Sequence, residues 1–387
     1  MVKTKRWLVI FFALLLLIVP CYMAANYIVD PMFYFAADKG STWYNSNKYG
    51  RAVKSKYMLK HKDEYDAVIL GGSKSGALDV KRLGGYTGLR YYNFYMESGN
   101  FSDYLTYATF LIQKCGVKEI TLHISSFEVM NYSLDFREAD VWRVPAVVNG
   151  TALDKALETL KFLMTDTSLL FYAVKNREVN ERRADNIADG MKNWTVTKGK
   201  MEADPEGWIQ KEFYEEYPKH LSTLFGDKNW VEKPHYEENL EALRQIREMC
   251  SEYGVTLKVV IGASSISERF RFEQDPYDRY YDYIREMVRI MGEVWDFSSF
   301  NDINMNPYNF YNFTHYSREV ADLQVDVMYG TQERGQYGGF GILLTMDNVD
   351  DYLKQRKADY LRLKEEYEAT GTVAVKGIDD PSNITIN

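Results

Sequence analysis

The sequence predicts an α/β protein with a mostly parallel five-stranded sheet, helices on both faces, and a membrane-spanning helix at the N-terminus. Three observations lead there. Short apolar runs closed by glycine or polar turns alternate with longer segments of helical periodicity, as in a parallel sheet covered by helices. That rhythm breaks once, for roughly a hundred residues after the third strand, which marks an insertion. An almost unbroken apolar stretch of roughly 20 residues opens the chain, the length a helix needs to cross the hydrocarbon core of a bilayer.

The opening stretch, Trp7 to Ile28, reads WLVIFFALLLLIVPCYMAANYI and follows Lys3, Lys5 and Arg6. The positive-inside rule keeps residues 1–6 in the cytoplasm as a basic stub and places everything after about residue 29 outside. A cleaved signal peptide, with MAA at 23–25 as its processing site, is the competing reading. The stretch is long for a signal, which favours an uncleaved anchor over 7–28. Pro20 before Cys21 argues against a lipidation signal. A polar, aromatic connector covers 29–65. The first core strand is DAVIL in DAVILGGSKSG, four apolar residues ended by two glycines. LRYYNFYM at 89–96 is the second strand, DYLTYATFLIQKCG a helix, and EITLHIS the third strand.

The insertion, about 136–235, contains a helical pattern at 151–175 and a charged stretch at 176–235. Lying beyond the carboxyl end of strand three, it is placed to serve as a lid or substrate platform, or as packing decoration. A helix at 236–252, the strand LKVVIG, the helix YDRYYDYIREMVRIMG and the strand VWDFSSF complete the alternation and close the 66–345 domain. Residues 346–387 hold a charged amphipathic helix at 348–368 and a loose tail.

The composition excludes several functions. A net charge of -8 is unsuited to holding nucleic acid through a broad cationic surface. His61, His123, His220, His235 and His315 show no HxxxH or HExxH spacing, so no metal is expected, and no cofactor is implied. With three cysteines, Cys115 and Cys250 are the pair available for a bridge outside the apolar stretch, and both read better as packed helix-end residues. The 31 Tyr, 20 Phe and 7 Trp suit carbohydrate or interfacial contacts as well as ordinary packing.

GGSKSG lacks the glycine before lysine that a phosphate loop needs, and Ser75 stands where a GxSxG elbow needs glycine. What remains is Ser73, just past a glycine pair at a strand end, either as a nucleophile or as a helix N-cap. From the other end of the chain, VWDFSSF leads into NDINMNPYNFYNFTHYS, with His315 just before a helix pattern. His123, inside an apolar strand, reads as a core histidine.

A strand-end serine in ILGGSKS, the late FYNFTHY segment, the preceding WDF strand and the VDP at Val29, Asp30 and Pro31 together resemble SGNH/GDSL-like hydrolases. The resemblance is to their membrane-tethered, DltD-like branch, which acts in lipoteichoic-acid D-alanylation, and to partners of envelope polysaccharide O-acyltransferases. It spans most of the chain outside the insertion, through short motifs. It implies a flavodoxin-like three-layer sandwich, Ser73 as nucleophile and His315 as base. It further implies the Gly99 amide as an oxyanion donor, with Asn100 and the Ser73 amide beside it. Lys74 reads as a guide for an anionic polymer or as a solvated lysine.

Two departures stand out. After strand three the chain reads HISSFEV, without the family's asparagine, leaving Ser125 or Ser126 nearby. Asn312 replaces the aspartate expected three residues before His315. Three outcomes are open: a Ser-His pair that suffices with Asn312, another acid such as Asp302 or Asp296 behind His315, or a site that binds acylated polymer without turnover. The expected function is an extracytoplasmic acyl-ester hydrolase or O-acyltransferase, or else a noncatalytic assembly factor. The expected partners are an envelope polysaccharide or teichoic-acid-like polymer and a membrane-bound acyltransferase.

Overall fold

The computed structural model describes residues 2–45, 49–125, 128, 144–215, 235–330 and 336–370. Its principal elements in chain order are α1 (Val2–Val29), α2 (Gly50–Lys60), β1 (Ala67–Gly71), α3 (Val80–Thr87), β2 (Tyr91–Tyr95), α4 (Phe101–Phe110) and β3 (Glu119–Ile124). They continue with α5 (Ala152–Leu163), α6 (Thr167–Arg183), α7 (Tyr236–Tyr253), β4 (Thr256–Ile261), α8 (Ile266–Glu273), α9 (Arg279–Met291) and β5 (Val294–Asp296). The last are α10 (Arg318–Met328), β6 (Ile342–Leu344) and α11 (Val349–Thr370).

All five expected strands form. Among the described residues the main sheet has six strands in the order β2-β1-β3-β4-β5-β6. The first five are parallel, and β6 runs antiparallel to β5 at the edge. The expectation of five strands is therefore corrected to six. Three residues of edge strand are too short to stand out as an apolar run. β1, β2 and β3 are buried along their whole length, which is why their sequences read as continuous apolar or aromatic runs and do not alternate. Gly71 at the end of β1 is level with Tyr95 of β2 and His123 of β3. The loops that follow these strands thus leave the sheet side by side. Chain direction across the sheet reverses at β1, and crevices at such reversals are where open α/β sheets take ligands.

Two compact units share the chain. One comprises Met1–Lys60 with Arg137–Ile187, the other His61–Phe136 with Ala188–Asn387. The expected insertion is thus two things: its first part belongs with the connector and α1, and its remainder, from Ala188, belongs with the sheet.

In the first unit, the helical pattern expected at 151–175 is two consecutive helices joined by a short turn. Thr151 caps α5 in a reciprocal capping box with Asp154, and the Asp166 carboxylate takes the Ser168 amide to start α6 afresh. Trp43–Tyr44 pairs antiparallel with Asp185–Asn186. The Tyr34 ring stacks on Phe162 at 3.8 Å between centroids. Within α1, Lys5–Val29 has a mean hydropathy of 2.7 over its best window, none of it buried, so this helix is long and apolar enough to cross a membrane.

In the second unit, a buried ion network fastens α11 to the sheet. Arg356 donates to Glu273 and Asp296, and Asp296 also accepts from Ser298 and Tyr352. Both Cys115 and Cys250 are free thiols packed in the core, and burial pushes them up to about 12 and about 11.

Candidate functional site

The site begins with the turn after β1. Ser73–Ala77 form a single 3₁₀ turn, held by Ser75 N–H and Oγ donating to Gly72 O and by Asn93 donating to Ser75 O and Leu78 O. Two glycines make this approach possible. A Cβ on Gly71 would lie 2.5 Å from the carbonyl oxygen of His123, and one on Gly72 would lie 1.9 Å from Glu128 Oε1. Ser73 is thereby set at the rim of the sheet. The helix N-cap reading fails, because the cap position of this turn is Gly72 and the Ser73 hydroxyl is engaged elsewhere.

Its partner is His315. Ser73 Oγ and His315 Nε2 are 2.7 Å apart, although 242 residues separate them in the chain. His315 sits in a tight return between Phe310 and Tyr316, which form a β-bridge, with Tyr311 N–H donating to His315 O at 2.7 Å. Ser317 then caps α10 and ends the loop.

Asn312 settles the tautomer. Its Oδ1 accepts the backbone N–H groups of Thr314 at 3.0 Å and His315 at 2.8 Å, so this atom must be the oxygen and not the amide nitrogen. The same oxygen lies 3.1 Å from His315 Nδ1, which must therefore carry the proton. Nε2 is left with its lone pair facing the Ser73 hydroxyl. Burial, together with Lys192 and Lys74, holds His315 well below its usual pKa, which keeps the imidazole neutral and able to accept a proton. Both ring nitrogens are accounted for by Ser73 and Asn312. Neither alternative acid reaches the histidine: Asp296 is committed to Ser298, Tyr352 and Arg356, while Asp302 packs against Gly338.

The remaining expected residues divide. Gly99 is beside the nucleophile turn, since a Cβ there would lie 3.2 Å from Gly72 Cα. Its amide, however, donates to Met96 O at 3.2 Å, in a turn where Ser98 adopts a left-handed φ of 49°. Asn100 is buried and caps α4: its Oδ1 takes the Asp103 amide at 2.9 Å, and its own N–H goes to the Asp103 carboxylate. That leaves the Asn100 side-chain NH₂ as the donor it could offer. Lys74 is corrected. It is buried and ion-paired with Glu268 of α8, itself bonded to Ser264, so it neither meets solvent nor guides a polymer. Ser125 is buried with its amide on Glu128, and Ser126 lies outside the described residues. His123 is a core histidine, 2.9 Å from Tyr316 OH and pushed down to about 3 by burial and then by Lys74.

Three site residues were not anticipated. Trp194, from the second part of the insertion, places its ring 5.1 Å from that of His315 and 4.9 Å from that of Tyr311. Its indole N–H is buried with no partner among the described residues. Lys192 lies over Trp194, 4.5 Å from the ring centroid, and pairs with Glu97 at 2.7 Å. Glu128, at Gly72, has a carboxyl pushed up to about 7 by burial. The first two sit in a charged stretch with no motif around them. Glu128 lies in the HISSFEV segment, three residues beyond Ser125, with no motif of its own.

Among the described residues, no three His, Cys, Asp or Glu side chains gather as metal ligands do. The arrangement is a hydroxyl, a neutral imidazole and a tautomer-fixing acceptor in line, the grouping that activates a serine for acyl transfer. No family model, curated protein or solved structure matches the chain.

Proposed function

We propose that this chain is a serine acyl-ester hydrolase or O-acyltransferase of SGNH type, and that it acts outside the membrane on a cell-envelope glycan or teichoic-acid-like polymer. The observation that carries the reading is the hydrogen-bonded series from Ser73 Oγ through the His315 ring to Asn312 Oδ1. Ser73 attacks the ester carbonyl as its proton passes to Nε2. The tetrahedral oxyanion collapses, and the departing alkoxide takes that proton back from Nε2. Water or a polymer hydroxyl then attacks the acyl-serine by the same route. Trp194 offers a flat wall and a free N–H to a sugar or acyl chain beside the histidine.

The extracytoplasmic placement rests on Lys3, Lys5 and Arg6 ahead of the apolar stretch that starts at Trp7. A membrane-bound acyltransferase as partner, and the three-layer SGNH sandwich as the finer description of the fold, rest on the motif resemblance. A second reading, a polymer-binding assembly factor without turnover, is favoured by the Gly99 amide being already paired and by Asn312, where a carboxylate would be expected, standing behind His315.

The test is hydrolysis of p-nitrophenyl acetate and labelling by a fluorophosphonate probe, using the full chain in detergent beside Ser73→Ala and His315→Ala. Turnover and labelling that vanish in Ser73→Ala establish the nucleophile. A folded wild type that neither turns over nor labels transfers the conclusion to the assembly factor.

A further inference from the structure

The first unit carries an apolar surface that a water-soluble helix pair would bury. In α5 the polarity is inverted. Glu158 is buried, accepting from Tyr34 OH at 2.6 Å and from the Ala146 amide at 2.8 Å. Leu153, Leu157, Leu160 and Met164 meanwhile face outward at i, i+4, i+7 and i+11, with Leu153 67% and Leu157 55% exposed. Such a stripe at helical spacing is a contact face, because single exposed leucines are ordinary and aligned ones are not. In α6 the apolar part, LLFYAV at 169–174, lies next to the turn shared with α5, and the charged part, KNREVNERR, lies away from it. Phe171 is 74% exposed and Val174 is exposed as well.

What covers this surface is indicated by where the turn is held. Asn26 Nδ2 donates to Leu163 O at 3.1 Å, and Tyr22 OH donates to Thr165 O, so the α5–α6 turn grips α1 near its C-terminal end. Trp7 to Asn26 measures about 29 Å at 1.5 Å per residue, close to the thickness of a hydrocarbon core of about 30 Å. The turn is therefore fixed at the depth where a bilayer spanned by α1 ends. Lys161 flanks the leucine stripe by helical spacing and is long enough to bring its ammonium group back to headgroup level.

We infer that the α5–α6 segment is a second membrane element, seated in the interface of the leaflet at the C-terminal end of α1, with its leucine stripe and Phe171 in lipid. This rests on α1 spanning the bilayer, as in the proposed function. It holds whichever side of the membrane that leaflet faces.

The experiment uses the full chain in lipid nanodiscs with Cys21→Ser, Cys115 and Cys250 being buried. Nitroxide labels go singly at Leu157→Cys and Phe171→Cys, with Glu178→Cys on the charged part of α6 and Leu14→Cys on α1 as references. Collision with oxygen, which partitions into lipid, is compared with collision with a water-soluble nickel chelate. The labels at 157 and 171 are expected to lose the nickel collisions that the 178 label keeps, and to gain oxygen collisions as the 14 label does. Nickel collisions at 157 and 171 equal to those at 178 overturn the inference while the lipid signal at 14 leaves the anchor standing. Loss of both collisions at 157 and 171 also overturns it, and assigns the face to a second copy or another protein. A label at 14 open to nickel shows that the span itself fails.

Discussion

Asn312→Asp is the substitution that reads the site most directly. Asn312 Oδ1 already holds two backbone amides and the imidazole N–H, so an aspartate keeps all three bonds and replaces only the NH₂ by a charged oxygen. A full charge about 4 Å from the imidazolium is worth about 4 kcal/mol at an effective dielectric of 20, or about 3 pK units. His315 is partly open to solvent, and screening reduces this to about 1–2 units. The same stabilisation acts on the imidazolium formed in the transition state, so kcat should rise about 10- to 100-fold, with about 10⁴ as the ceiling set by the reverse change in a serine protease. The sign of the pH effect is fixed as well. The neutral imidazole is the active form, and its pKa lies well below the ordinary value. The acidic limb of kcat/KM should thus lie below about 6.5 in the wild type and move upward by about 1–2 units in the variant. The assay is ester hydrolysis from pH 4 to 9, with melting temperature as a folding control. An unmoved limb together with an unchanged rate would refute the role assigned to Asn312, and with it the Ser-His-Asn reading.

Further outcomes follow from the same geometry. Lys192→Ala removes a cation that lowers the His315 pKa, so the acidic limb should again move up, with a rise in kcat in the same direction. Gly71→Ala should cost about 1–3 kcal/mol in urea unfolding, because its Cβ would lie 2.5 Å from a backbone oxygen. Gly85→Ala, in α3 with open space around it, should stabilise by about 0.5–1 kcal/mol in the same assay. Arg356→Met removes the shared cation of two buried carboxylates, leaving Glu273 to Arg269 and Asp296 to Ser298 and Tyr352, and should cost about 3 kcal/mol, seen as a lowered urea midpoint.

What the sequence revealed follows the range of the forces involved. AVIL, YYNFY and EITLHI were legible as strands because a strand buried on both faces leaves a local apolar run, and Ser73 was legible because two glycines close one of them. His315 and Asn312 lay in a seven-residue return whose own shape is set by local bonds from Asn312 and Tyr311. Lys74 was misread because its partner, Glu268, is 194 residues away and nothing near GGSKSG announces it. Trp194 and Lys192 escaped notice for the same reason. The sheet edge at Ile342–Leu344 was too short to register, and the insertion was drawn as one piece because the boundary at Ile187 is defined by contacts and not by composition.

On the proposed function, the distance along the chain between Ser73 and His315 also governs when the site can be completed. The nucleophile turn is made within the first 77 residues, but its base comes 242 residues later, after β4 and β5 have been added to one side of the sheet. A chain that ends before His315 holds an ordinary serine hydroxyl without that imidazole beside it. On the proposed function, a chain cut short of His315 would therefore be inert toward an ester, whatever part of the sheet it had already formed.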